Sequence, residues 1–226
     1  DRKRGLIARW CPVVVIATAS ILSVSRSALI AVVIAVAVLA ASWTARQKLI
    51  AAGFAVALVG VVYFAVPGMA GTIVGMFTGA PDDSSIASRV NGYDVAFGMV
   101  ARLPYFGRGF GTLLPSYVYL DNQYLGIVVE LGLFGLVAVL SLFVTAIVSA
   151  WRSRKLVAYR LASQLGAAIA AAVAAGATSF TFFDALSFPL SSAFMFLLLG
   201  LAGAYARLAH TEPAELMLRD AIAATR

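Results

Sequence analysis

Histidine and cysteine are almost absent: the chain of 226 residues holds one of each, His210 and Cys11. A single cysteine permits no internal disulfide and gives no reading of redox compartment. Cys11 is expected simply to pack in the first helix. Charge is scarce too, at 12% of residues, and its excess is positive, with 17 Lys and Arg against 10 Asp and Glu. Repeats of short period are absent.

What the chain lacks most is polar interruption. "PVVVIATASILSV", "ALIAVVIAVAVLAASW", "LIAAGFAVALVGVVYFAV", "YLGIVVELGLFGLVAVLSLFVTAIVSAW", "LASQLGAAIAAAVAAGATSF" and "FPLSSAFMFLLLGLAGAY" are six long apolar runs. Most approach or exceed the roughly 20 residues that cross a bilayer. No run keeps the polar stripe of a soluble amphipathic helix. The expected class is an all-α integral membrane protein with about six transmembrane helices, over residues 8–24, 27–43, 49–66, 124–150, 158–178 and 187–206. The first two runs are short, so helix 1 is expected to borrow residues from Leu6 onward. A cleaved signal peptide is a poor reading, because a second apolar run follows at once without a small-residue cleavage site. The chain begins with Asp1 and not Met, and further helices upstream are expected.

A net charge of +7 invites a nucleic-acid reading. Enrichment of Lys and Arg in cytoplasmic loops explains it better. With a cytoplasmic N-terminus and alternating sides, only Arg26, Arg89, Arg102 and Arg108 of the 17 cations fall outside. The opposite orientation would reverse that bias. Both termini are therefore expected inside, with a cytoplasmic tail over 207–226 holding His210 and one long extracytoplasmic loop over 67–123.

Arg26, in "ILSVSRSALI", then stands on the outer face, where it cannot be a topology signal. One reading is a tight turn capped by Ser25 and Ser27, with Arg26 snorkelling to the interface. The other is an anion site, since a charge within the membrane costs roughly 2.5–3.5 kcal/mol at mid-bilayer by insertion scales and less near the surface. In the long loop, Ile86, Val90, Tyr93, Phe97 and Val100 recur at helical spacing. Ser84 or Ser85 as N-cap and Pro104 as stop predict a short amphipathic helix on or in the outer interface. Next comes "PYFGRGFGTLLPSYVYLDNQYL". Gly107, Gly109 and Gly111 allow tight turning or close approach, but no strand or Lys-Ser/Thr ending makes this a nucleotide loop. Tyr105, Phe106, Phe110, Tyr117, Tyr119 and Tyr124 read as an interfacial aromatic belt. The small residues of the fifth run are expected to allow close helix packing.

The outer face holds the four arginines, Asp82, Asp83, Asp94, Asp121, Asp184 and Glu130, with no His and no Cys. Zinc is unlikely on donor grounds, a serine triad lacks its His, and adjacent Asp82 and Asp83 in a Gly-rich loop are more often solvated than metal-binding. No metal and no cofactor are expected. Arginine's planar fork suits phosphate oxygens, so an arginine cluster at a membrane surface suits a lipid diphosphate. Glu130 is expected to hydrogen-bond between helices and hold the bundle together.

"SVSRSALI", "SRVNGYDVAFGMVARLPYFGRGFG" and "LDNQYLGIVVELGLFGL", in that order, resemble the O-antigen ligase and polymerase superfamily over roughly residues 20–150. That family has Ser-Arg before a helix, an Arg opening the loop helix, a Pro-x-x-Gly-x-Gly-like turn, and His-Asn-x-x-Leu followed by Glu-x-Gly-x-x-Gly. The resemblance implies a metal-independent membrane glycosyltransferase of the C-type class in the bacterial cytoplasmic (inner) membrane, acting on the extracytoplasmic side in cell-envelope polysaccharide biosynthesis. It implies a polyprenyl-diphosphate-linked glycan donor and a lipid, protein or glycan acceptor; membrane lipids are expected neighbours, nucleic acid is not. Arg26 and Arg89 match the two key diphosphate-binding arginines. Asn122, Tyr124, Leu125, Glu130, Gly132 and Gly135 match the motif at the helix start. Asp121 replaces the family's catalytic His and is the candidate base, against the reading that it caps the helix. Arg108 sits at a variable position and is a secondary candidate for substrate binding, with Asn122 and Tyr124. The competing classes are a transporter and a non-catalytic component of a cell-envelope assembly.

Overall fold

The computed structural model describes the backbone over residues 2–23, 25–65, 71, 75, 84–113 and 120–224, and side chains within 11–61, 92–113 and 120–211 apart from 21 and 24, with 63, 71 and 75. Seven α-helices are described: α1 Arg2–Leu22, α2 Arg26–Ala40, α3 Ala45–Ala65, α4 Ser84–Val100, α5 Gln123–Ser153, α6 Arg160–Ser179 and α7 Pro189–Ala224, with a 3₁₀ turn at Ala185–Ser187.

The starts of these helices follow from local chemistry. Ser25 caps α2, its Oγ accepting from the Ala28 N–H at 3.4 Å and lying 2.9 Å from the Ser27 Oγ. The Ser-rich turn expected around Arg26 is present, and Arg26 is the first helical residue. A reciprocal capping box opens α3: the Thr44 N–H donates to Gln47 Oε1 at 2.9 Å and the Gln47 N–H to Thr44 Oγ1 at 3.4 Å, which satisfies two amides that the helix leaves unpaired.

Three helical segments among the described residues are long and apolar enough to cross a membrane: Gln123–Ser153, Arg160–Ser179 and Pro189–Thr211. These correspond to the last three of the six expected spans. Helix α2 has 15 residues and covers about 22 Å at 1.5 Å per residue, less than the ~30 Å hydrocarbon core. The residues of 67–83 expected in the long loop are mostly outside the described residues. The tail continues α7 as helical backbone to Ala224 and does not start a separate surface helix.

The core joins α5, α6 and α7. Phe143, Ala146 and Ala150 meet Ile169, Ala170 and Val173, then Met195, Leu198, Ala202 and Tyr205. Close approach depends on the small residues of α6, as expected. A Cβ on Gly166 would lie 2.6 Å from the Tyr205 ring, so only glycine lets that ring sit flush. The Tyr205 hydroxyl donates to the Ala162 carbonyl at 3.0 Å, which fixes α7 against the start of α6. Helix α2 also packs on α6. Outward positions carry large apolar groups, among them Leu190 at 84% and Phe196 at 61% exposure. Exposed apolar surface on this scale is a membrane or partner face.

The expected topology has a direct test. Ser153 is buried, so Lys155, which is exposed, is the better inner position. In a Cys11→Ala background, Ala101→Cys is expected to react with an impermeant maleimide in intact cells, and Lys155→Cys only after permeabilisation. Labelling of Lys155→Cys from outside would overturn the orientation.

Candidate functional site

The site is built on a break in α5. Gly132 has φ 68° and ψ −167°, a combination essentially confined to glycine. At that point the helical bonds from 133 to 129 and from 134 to 130 are lost. All four freed groups are taken up by the loop that follows α4. The Arg108 N–H donates to the Val129 carbonyl at 3.0 Å and the Gly109 N–H to the Glu130 carbonyl at 2.8 Å. The Leu133 N–H donates to the Pro104 carbonyl at 2.9 Å and the Phe134 N–H to the Tyr105 carbonyl at 3.3 Å. The loop thus replaces helix with helix-to-loop pairing, and no backbone group of this set is left to pay the cost of an unmade hydrogen bond in apolar surroundings.

This clasp needs glycine on both sides. A Cβ on Gly107 (φ 65°) would strike the Glu130 carbonyl group and the Gly132 nitrogen; a Cβ on Gly132 would strike the Tyr105 carbonyl group and the Phe106 nitrogen, all at separations real Cβ atoms do not show. The obstacles are backbone, which cannot swing away. The alternating Gly107, Gly109 and Gly111 all have positive φ, so the expected tight turning is realised; where approach to a ligand was the other expectation, Gly107 approaches the α5 backbone. The Glu130 side chain adds a fifth tie, its Oε1 accepting from the Leu113 N–H at 3.0 Å. Glu130 therefore holds a loop, where a helix-to-helix bond was expected.

Helix α4 presses on the same place. Ala96, Leu120 and Val129 are buried together, with Met99, Val100, Leu113 and Leu125 around them. The packed face of α4 is Ala96, Met99 and Val100, at i, i+3 and i+4. The stripe read from the sequence is only partly this face: Phe97 is 62% exposed, because the small Ala96 is what lets α4 approach Val129. Ile86, Val90 and the side chain of Arg89 lie outside the described residues; by its backbone, Arg89 belongs to α4.

The start of α5 is anchored from the other side. Asn122 is the N-cap, its Oδ1 accepting from the Leu125 N–H at 3.2 Å. Asp121, half-buried, stands one residue earlier, so the capping reading of Asp121 is corrected: its neighbour does that work. Gln123 is buried; its N–H donates to the Phe180 carbonyl at 2.9 Å and its Oε1 accepts from the Leu186 N–H at 2.6 Å. Tyr124 turns inward. Its ring meets Phe143 and Phe180, and its hydroxyl donates to the Ala177 carbonyl at 2.6 Å. Tyr124 is thus not in the aromatic belt. Tyr105, Phe106 and Phe110 are exposed, Phe106 lying 5.2 Å from the Phe134 ring; Tyr117 and Tyr119 are outside the described residues.

The structure therefore brings Arg108, Asp121, Asn122 and Glu130 onto one unit made of the loop, the α5 start and the break. Arg108 is exposed there. Arg26 begins α2, which packs on α6. Sequence reasoning missed Gln123 as the lock between α5 and the α6–α7 turn; a lone amide opening an apolar run was the available signal. It also missed that Gly107 and Gly132 touch.

A family model described as O-antigen ligase matches residues 11–140. That is more than half of the chain, and it spans the arginine of α2, the α4 helix, the glycine loop and the break. The chain belongs to the O-antigen ligase family. No curated protein matches it.

Proposed function

We propose that this membrane protein transfers a glycan from a polyprenyl-diphosphate donor to an acceptor hydroxyl at the extracytoplasmic face. Family membership makes membrane glycosyl transfer the general expectation; one observation supports locating it here. Two neighbouring motifs, "PYFGRGFG" and "DNQYLGIVVELG", nine residues apart in the chain, form a single clasped unit through four backbone hydrogen bonds, with the Glu130 carboxylate tying in Leu113. Such rigidity is what a transfer site requires, since reacting groups must be held in attack geometry.

In this reading Arg26 and Arg89 bind the diphosphate, with Arg108 reaching the donor from the loop. The acceptor oxygen forms the new bond to the anomeric carbon. The bond from that carbon to the diphosphate oxygen breaks, and its electron pair leaves with the polyprenyl diphosphate, whose growing negative charge the guanidinium groups stabilise. The proton of the acceptor hydroxyl passes to the Asp121 carboxylate. Asn122 and Tyr124, whose polar atoms are engaged by Leu125 and Ala177, act as positioning residues for Asp121.

The test is glycan transfer in proteoliposomes with a labelled lipid-linked donor. Arg26→Ala and Arg89→Ala are each expected to lower transfer roughly tenfold to hundredfold, the range of a hydrogen bond to a charged group. Arg26→Lys should recover only part, because lysine lacks the planar fork. Wild-type transfer by both alanine variants would sink the diphosphate site.

A further inference from the structure

At the end of the bundle opposite the clasp, α5 and α7 separate into an open groove of about 560 Å³. This is within the roughly 300–1,000 Å³ of small-molecule sites. It lies beyond residue 140, outside the part of the chain that the family model matches. Its wall is apolar along Val144, Val148 and Leu156, with Ser149 between them, and its polar end is formed by Arg152 and His210. From Val144 to Ser153 the groove follows α5 for about 14 Å. We propose that this groove binds an anionic phospholipid, one acyl chain lying along Val144 and Val148 and the phosphate headgroup held by Arg152 and His210.

The pattern of the lining selects this occupant. The groove is mainly apolar, with Thr145, Ser149 and Ser153 along it, and is cationic towards the end of α5, which matches a tail with a charged head. A transmembrane helix of a partner would need an apolar, small-residue seam throughout. Charge complementarity points the same way. Tyr205 bonded to Ala162 brings α7 beside the start of α6, so Arg152, Arg154, Lys155, Arg160 and Arg207 gather at this end. Between Ser141 and His210 the sequence has one carboxylate, Asp184, in the turn at the opposite end of α6 and α7; Glu212 and Glu215 follow His210 in the sequence. Arg154 stacks on Trp151, 3.7 Å from the ring centroid, and is held away from the groove lining. Basic pockets between membrane helices are suited to acidic headgroups, each cation near the surface contributing about fivefold in affinity.

The full chain in nanodiscs containing equal amounts of phosphatidylglycerol and phosphatidylcholine with identical acyl chains, followed by detergent extraction and native mass spectrometry, reads the retained lipid directly. Preferential retention of phosphatidylglycerol is expected. Arg152→Gln should reduce that preference about fivefold, Arg152→Lys should keep it, and Val148→Trp, which fills the tail path, should reduce retention of both lipids. Thermal melting of each variant identifies any that is misfolded, and the wild-type comparison stands without them. Equal retention of the two lipids by the wild-type chain, an unchanged preference in folded Arg152→Gln, or disulfide-linked dimers through Val148→Cys in a Cys11→Ala background would each overturn the proposal.

Discussion

Gly132→Ala is expected to abolish the clasp and, with it, most glycan transfer. Two costs add at this position. The backbone at φ 68° and ψ −167° lies where a residue with a Cβ is strained by about 1–3 kcal/mol. The new methyl would also occupy the place of the Tyr105 carbonyl group, and backbone cannot yield as a flexible side chain does. Relief requires the loop to leave, which strands the carbonyls of Val129 and Glu130 and the amides of Leu133 and Phe134. Each buried polar group left unpaired costs about 1–3 kcal/mol, so the total approaches the 5–15 kcal/mol by which a whole domain is stable. A chain that survives with the loop displaced should transfer at least about a hundredfold more slowly, since a shift on the order of 1 Å at a reacting centre has that effect. Gly107→Ala should behave alike. The double variant should cost little more than either single one, because the loop can be expelled only once. Gly98→Ala is the control: nothing lies within 4 Å of its Cβ, and alanine is the better helix residue. Wild-type melting and transfer by Gly132→Ala, or additive losses in the double variant, would remove the clasp from the account.

Parts of this arrangement were readable from residue types alone. Long apolar runs give membrane helices because the bilayer forces every backbone group into an internal hydrogen bond. Ser25 and the Ser84–Val100 helix were visible because capping and stopping are local events. The glycines at 107, 109 and 111 announced unusual backbone. Their partner did not announce itself, because backbone-to-backbone pairing between the loop and α5 uses no side-chain type that could mark it. Gly132 looks in the sequence like any small residue in a membrane helix. Tyr124 was misplaced for a related reason: an aromatic at the end of an apolar run suits the interface or the interior equally well, and only the Ala177 carbonyl in the last turn of the neighbouring helix, 53 positions away, decides between them. Asp121 was the cap candidate and Asn122 is the cap, a difference in register of one residue, which composition cannot set.

That one-residue register is what makes Asp121→Asn informative. Asn122 already caps α5 through Leu125, and Gln123 ties the helix start to Phe180 and Leu186. The start of α5 therefore does not rely on the Asp121 side chain for its capping bond. Asparagine keeps the size of aspartate, and loses its charge and the ability to take up a proton. Asp121→Asn is expected to fold, with thermal melting as the check. Donor binding should persist, because the guanidinium groups proposed to meet the diphosphate are untouched. Transfer should fall by 10²–10⁴-fold, the usual contribution of a positioned general base. The loss should appear in kcat with KM for the donor little changed, the signature of an interaction made only in the transition state. Asp121→His, which places there the residue that the resembling family pattern carries, should recover transfer in part. If Asp121→Asn is folded, binds donor and transfers at near the wild-type rate, the acceptor proton goes elsewhere and Asp121 has no part in the chemistry.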